Sequence, residues 1–215
     1  IKESVQYVYD GPGSRRLPVK LTASELTHSA DRKDMFKSRP AFMHSQGMTP
    51  AERGTALHEF MQYADFEKAA NNIEAEIKRV AELEYITREQ AASIDIEKAK
   101  EFFESGLYER MQRAENLMRE WRFMLDVPAK EIYGADAGEE DIVVQGIIDC
   151  FFEEQDGIVV VDYKTDRVKH PEELVQRYSE QLRLYAYALK RLCGIEVKEA
   201  LIYSFALGKS IGIDL

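Results

Sequence analysis

Basic charge is in short supply in this chain, and so are cysteines and long apolar runs. With 29 Lys and Arg against 39 Asp and Glu, the net charge is −10. Phosphate contacts come from Lys and Arg, so this balance argues against a surface that seizes nucleic acid unaided. The deficit is uneven: residues 1–48 carry +3, residues 49–144 carry −10 and residues 145–215 carry −3. A strand-handling enzyme with this distribution is expected to receive its strand from an attached machine. Only two cysteines occur, Cys150 and Cys193. They supply neither a disulfide framework nor a zinc quartet, and read as reduced thiols of a cytoplasmic protein. No stretch approaches the roughly 18 uninterrupted apolar residues of a membrane span, so no membrane association is expected. The chain opens Ile1-Lys2-Glu3-Ser4 rather than with a charged-then-apolar leader, which reads as a segment of a longer, unsecreted protein.

What is present is concentrated between Gln145 and Lys164. Two runs of β-branched and aromatic residues, 147–152 and 158–163, flank a polar segment closing in Asp156-Gly157. That pattern predicts a β-hairpin, with glycine supplying the positive φ of a tight turn. Each predicted strand carries one misplaced carboxylate, Asp149 in the first and Asp162 at the end of the second. An ionised carboxylate among such residues is costly to desolvate unless something cationic meets it. Lys164 lies two residues past Asp162, so the two side chains share a strand face, about 7 Å apart at their Cα atoms. Two carboxylates on adjacent strands with a lysine alongside suit a hard cation such as Mg²⁺, with Mn²⁺ able to substitute. Such an ion activates water and neutralises phosphate charge, and the lysine orients the water or stabilises the developing oxyanion.

Asp149 followed by Asp162-Tyr163-Lys164 resembles the D…(D/E)xK signature of the PD-(D/E)xK nucleases. The fuller pattern is Gly146-Ile147-Ile148-Asp149, Asp162 through Asp166, and Gln181-Leu182-Arg183-Leu184-Tyr185. It is similar to the RecB-type nucleases, and within them to the C-terminal nuclease domains of AddA subunits of AddAB helicase-nucleases. The resemblance implies a restriction-endonuclease-like α/β fold, a central mixed β-sheet flanked by helices with an N-terminal helical part, over residues 21–215. It implies a Mg²⁺-dependent exonuclease acting on single-stranded DNA in double-strand break repair and recombination. Preceding helicase domains in the same chain and an AddB-like subunit would be its partners. Some RecB-type nucleases carry a four-cysteine iron-sulfur cluster, which this chain cannot supply. The alternative is a catalytically silent nuclease-fold scaffold in a repair complex; such a module would tolerate loss of Asp149 or Lys164, and both are present.

The remaining site residues rest on the resemblance beside a plainer reading. Thr49-Pro50-Ala51-Glu52 is a capping box with proline at the first helical position, predicting a helix to about Ala64. Gly54 in that helix suggests close approach by another element, and His58 lies four residues on, along the same face. By spacing alone His58 is an ordinary helix residue; in the family the histidine of GTxxH is a metal ligand beside Asp149, Asp162 and the Tyr163 carbonyl. Glu120 opens the strand-like run 120–125 and is by itself a solvent-facing glutamate; the family places a comparable glutamate at the active site. Gln181 and Tyr185, at i and i+4, read as boundary and core residues, and by resemblance support the substrate or the lysine.

The rest of the chain is read as framework. Residues 1–20, with Gly11-Pro12-Gly13, form a linker or arm from a preceding region. Leu21 to Leu26 suggests a short helix capped by Thr22, and 31–47 a loop. Residues 71–114 are helical and acidic, with a stripe of Ile73, Ile77, Val80 and Leu83 and a second capping box at Thr87. Residues 128–140 read as a loop. Pro171 begins a helix running to about Cys193, closed by Gly194, with a stripe of Leu174, Tyr178, Leu182, Tyr185, Leu189 and Leu192. Residues 197–207 return to strand. Gly208-Lys209-Ser210 is not a phosphate loop, because Tyr203 stands where the Walker pattern needs glycine and no helix follows.

Overall fold

The computed structural model describes residues 20–23, 47–134 and 140–215. The arm expected over residues 1–20 and the loop expected over 31–47 lie almost wholly outside them. The elements run β1 (Lys20–Thr22), α1 (Pro50–Tyr63), α2 (Phe66–Asn71), α3 (Ile73–Glu82), α4 (Arg88–Ser93), α5 (Ile96–Phe103) and α6 (Gly106–Arg113). They continue with β2 (Leu117–Pro128), α7 (Ala129–Tyr133), β3 (Asp141–Glu154), β4 (Gly157–Lys164), α8 (Pro171–Cys193), β5 (Val197–Ser204) and β6 (Lys209–Ile213). The result is one mixed sheet of six strands with helices on both faces.

A succession of N-caps builds the helical layer. Thr49 closes a full capping box, its Oγ1 accepting from the Glu52 N–H while its own N–H donates to Glu52 Oε2. Thr87 repeats the device with Gln90. Between and after them Asp65, Asn72, Asp95 and Ser105 each accept a backbone N–H three residues on. The acidic stretch therefore divides into four short helices from Ile73 onward, where the sequence pattern suggested longer ones. Ile73, Ile77 and Val80 are buried as expected, but Leu83 is 52% exposed because α3 ends at Glu82 and the chain turns away.

The predicted hairpin is β3 and β4, paired antiparallel from Cys150 with Val161 to Glu154 with Gly157, whose φ is 141°. β4 pairs in parallel with β5, and β5 antiparallel with β6. β6 had no forewarning; Ile211 and Ile213 turn inward across Gly212, and the Gly208-Lys209-Ser210 run leads into this strand rather than a helix. Two further expectations are corrected. Leu21 and Thr22 do not begin a helix but pair in parallel with Val144 and Gln145, because Leu21 is buried against Ala129 and Ile142; residues 24–26 lie outside the described residues. The loop expected from Pro128 starts as the short helix α7, anchored by the fully buried Ala129.

α8 occupies the span its sequence predicts, with Gly194 in the left-handed conformation behind it. Leu174, Tyr178, Leu182, Tyr185 and Leu189 are buried, whereas Leu192 in the last turn is 47% exposed. One face of the sheet packs on α1 to α6 through Cys150, Phe152, Val159, Val161, Tyr163, Leu201 and Tyr203. The other packs on α8 through Ile148, Val160, Ala200 and Ile202. Among the described residues no helix is long and apolar enough to cross a membrane.

Candidate active site

β3 is shared: residues 143–145 pair with β1 and residues 150–154 with β4, so the two neighbours part between Gly146 and Asp149. Chain divergence of this kind leaves a crevice at a sheet edge, where α/β folds commonly place ligands. Asp149 stands at the fork. Continuing the ladders sets Asp149 opposite Asp162 on β4 and opposite Glu120 on β2, so three carboxylates fall on one row across three strands.

That row is also where the strand packing changes sides. Even-numbered residues of β3 face α8 up to Ile148, then face the α1 to α6 layer from Cys150 onward. On β2 the same change separates Leu117 from Trp121 and Phe123. Glu120 lies between them with φ 52°, a left-handed backbone in a residue that is not glycine. Such a conformation costs about 1–3 kcal/mol and persists where surrounding structure enforces it, often at a functional site. Trp121 pairs with Ile148 and Arg119 with Cys150, while Glu120 itself drops out of the ladder.

α1 closes the crevice. Gly54 faces Thr165 at the end of β4, where an added Cβ would lie 2.8 Å from Thr165 Oγ1; this is the close approach its presence in a helix suggested. One turn on, His58 Nδ1 lies 3.5 Å from Asp149 Oδ2. The same Asp149 oxygen accepts the Tyr163 N–H at 2.8 Å. One ligand atom from each of His58, Glu120 and Asp149 lies within 4.8 Å of the others. A cleft of about 400 Å³ opens here, lined among others by His58, Glu120, Lys164 and Tyr178.

Asp162 and Lys164 project together, as their spacing predicted. Lys164 Nζ lies 2.7 Å from Asp162 Oδ2. This ion contact runs off the hydrogen-bond direction, so Asp162 Oδ2 is buried without a hydrogen-bond partner. Behind the lysine, Nζ reaches Gln181 Oε1 at 3.5 Å, and Gln181 Nε2 donates to the Tyr185 hydroxyl at 2.5 Å. The expected residues thus fall into two adjoining groups, His58 with Glu120 and Asp149, and Asp162 with Lys164, Gln181 and Tyr185. Asp162 turns to the lysine rather than joining the trio, and Tyr163 meets the site through its backbone N–H while its ring is core. Tyr178 was read only as part of the buried stripe, yet its ring lies 4.2 Å beneath Lys164 Nζ. Its position three residues before Gln181, on the same helix face, was the available signal.

The electrostatics differ sharply between the two carboxylates. Burial pushes the Asp162 carboxyl up to about 6 against the pull of Lys164, with repulsion from Asp149 adding to the rise. Burial also raises Asp149, but the charge and contact of His58, then Lys164 and the Tyr163 N–H, hold it below the usual carboxylate range. His58 is desolvated, which lowers it, yet Asp149 holds it above its ordinary value. Glu120 is raised by burial and by the Asp149 charge. A divalent cation fits this donor set. It would relieve the crowding of Glu120, Asp149 and Asp162 and give Asp162 Oδ2 the partner it lacks.

The family profile of the PD-(D/E)XK nuclease superfamily matches residues 24–209. The chain belongs to this superfamily. Its match spans the helical layer, β2, the β3–β4 hairpin and α8, so the fork and both residue groups lie within the PD-(D/E)XK region. Among curated proteins, the chain is 40% identical over 99% of its length to the AddA subunit of the ATP-dependent helicase/nuclease of Clostridium botulinum (strain Loch Maree / Type A3). It is 38% identical over 97% of its length to the corresponding helicase/nuclease subunit of Thermoanaerobacter sp. (strain X514). In both cases it spans 18% of the relative's length. The solved structure of SSO0001 aligns over 93% of this chain and 69% of its own, at 12% identity and a TM-score of 0.40, a likeness too loose to bear on the site.

Proposed function

We propose that this chain is a divalent-metal-dependent nuclease domain that hydrolyses the phosphodiester bonds of single-stranded DNA. The observation that carries the reading is the convergence of His58, Glu120 and Asp149 beside the Asp162–Lys164 pair, in a PD-(D/E)XK chain. His58, Glu120 and Asp149 would hold the ion, with the unpartnered Asp162 Oδ2 as a further oxygen ligand. A bound Mg²⁺ or Mn²⁺ supplies Lewis acidity to a phosphoryl oxygen and to water. Lys164 keeps a charged N–H donor at the cleft wall, where negative charge develops on the phosphate. Gln181 and Tyr185 hold that lysine from behind.

The relatives' name and the net charge of −10 together support delivery of the strand by a motor rather than capture from solution. Residues 21–215 would then form the nuclease domain, residues 1–20 its tether to a helicase region, and an AddB-like subunit its partner, all within the cytoplasm. The complete set of Asp149, Asp162 and Lys164 disfavours a silent scaffold.

Calorimetric titration with Mn²⁺ and Mg²⁺ tests the ligand assignment. Wild type should bind, and Asp149→Asn and Glu120→Gln should each weaken binding by about tenfold or more. Unchanged binding in both variants would remove the trio as the metal site.

A further inference from the structure

Lys164 has three N–H donors and few partners. Asp162 Oδ2 lies at 2.7 Å but off the hydrogen-bond direction, and Gln181 Oε1 at 3.5 Å is a marginal acceptor. The closest organised support is the Tyr178 ring, whose centroid lies 4.2 Å from Nζ, well inside the reach of a cation–π contact. The ring is itself fixed. Its hydroxyl donates to both oxygens of Asp166 at 3.1 Å, and Arg177 Nη1 meets Asp166 Oδ1 at 3.5 Å. Tyr178 is 9% exposed, packed with Leu174 and Leu182 on one side and lining the cleft on the other.

We propose that Tyr178 is a positioning residue for Lys164: its ring face holds the ammonium at the cleft wall, and Asp166 holds the ring. The proposal rests on the nuclease reading and explains a problem that reading creates. A divalent cation claims carboxylate oxygens, and Asp162 is the lysine's one close anion. When Asp162 turns to the ion, the lysine loses its anchor unless something the ion cannot take holds it. An aromatic face offers no oxygen ligand to a hard cation, so it keeps its hold whether or not the ion is bound. A hydroxyl donating to a carboxylate also gives the ring more electron density, which strengthens its attraction for an ammonium.

The test compares Tyr178→Phe, Tyr178→Leu and Asp166→Asn in the full 215-residue chain, alone and combined with Lys164→Ala. Single-turnover cleavage of end-labelled single-stranded DNA is read beside the NMR shifts of the Lys164 side chain. Tyr178→Leu should lower the cleavage rate constant by at least about tenfold with apparent strand affinity and metal affinity unchanged, as expected for a misplaced catalytic group. Tyr178→Phe keeps the ring and should stay within about threefold of wild type, with Asp166→Asn between the two. In the Lys164→Ala background Tyr178→Leu should cost nothing further, the signature of one coupled unit. Wild type should show an upfield ring-current displacement of the Lys164 ε-methylene protons, kept in Tyr178→Phe and lost in Tyr178→Leu. Should Tyr178→Leu fail to melt cooperatively, Tyr178→Met carries the same comparison. An equal loss with and without Lys164, an unchanged rate in the ring-less variants, or no ring-current displacement in wild type would overturn the proposal. A wild-type chain without metal-dependent cleavage, but with the displacement present, would instead count against the nuclease reading.

Discussion

Lys164 is the residue on which stability and chemistry can be separated. Its ammonium sits in a nearly closed environment, its side chain 14% exposed, and burial alone would lower it, yet Asp162 and then Asp149 keep it above its ordinary value. A charge held this way survives the cost of desolvation only because carboxylates face it. Lys164→Ala should therefore leave the His58, Glu120 and Asp149 trio able to take Mn²⁺ while turnover falls by about 10²-fold or more. Metal titration and cleavage measured on the same preparation check this; a variant that loses only melting temperature would make the lysine structural. The common face of Asp162 and Lys164 was legible in the sequence, because strand periodicity admits no other arrangement of i and i+2. Two features at this scale were not. Nothing local marks Glu120 for a φ of 52°, since that backbone is enforced by packing that changes sides across the strand. Nor does spacing say that Asp162 turns to Lys164 rather than to His58, because that depends on which partner burial leaves within reach.

The elements show which local signals suffice. Thr49 and Thr87 announce helices because Glu52 and Gln90 return the hydrogen bond. Asp65, Asn72, Asp95 and Ser105 cap as well but have Lys68, Ala75, Lys98 and Tyr108 at the reciprocal position, so the helical layer reads as fewer and longer helices than it contains. The hairpin was plain from its alternation and its Asp156-Gly157 turn. β6 was hidden, since five residues with two inward isoleucines carry too little pattern until β5 lies beside them. One charged network ties these layers together. Arg110 on α6 donates to Glu154 at the end of β3, at 2.9 and 3.1 Å, and to Glu199 on β5 at 2.6 Å, and Lys198 also meets Glu154. Hydrogen bonds from Arg110 and then Lys198 hold the Glu154 carboxyl down at about 2, from an ordinary value near 4.5. A carboxyl depressed by folding contributes stability that is complete above its unfolded value and is lost as pH falls through its folded value. Melting temperature should thus decline between pH about 4.5 and about 2, and Glu154→Gln should flatten part of that decline while lowering stability at neutral pH. Parallel curves for the two proteins would show that the network contributes nothing measurable.

At the scale of the molecule, a helical layer and α8 clamp a sheet whose middle strand forks, and the fork is where the carboxylates gather. The layers give that site its environment. α1 brings His58 to Asp149 from one face, and α8 brings Tyr178, Gln181 and Tyr185 to Lys164 from the other. Neither group alone makes a hydrolytic centre; the sheet sets them against each other. The charge of −10, concentrated in residues 49–144, leaves little general attraction for a polyanion, which fits a site fed by an attached machine better than one that searches. The measurement that tests this account most directly is degradation of end-labelled single-stranded DNA by the chain with Mg²⁺ or Mn²⁺, beside Asp149→Ala and an EDTA control. The account predicts metal-dependent cleavage that both the substitution and the chelator abolish. Cleavage that persists in Asp149→Ala, or a wild-type chain that neither binds the ion nor cuts the strand at high concentration, would contradict it.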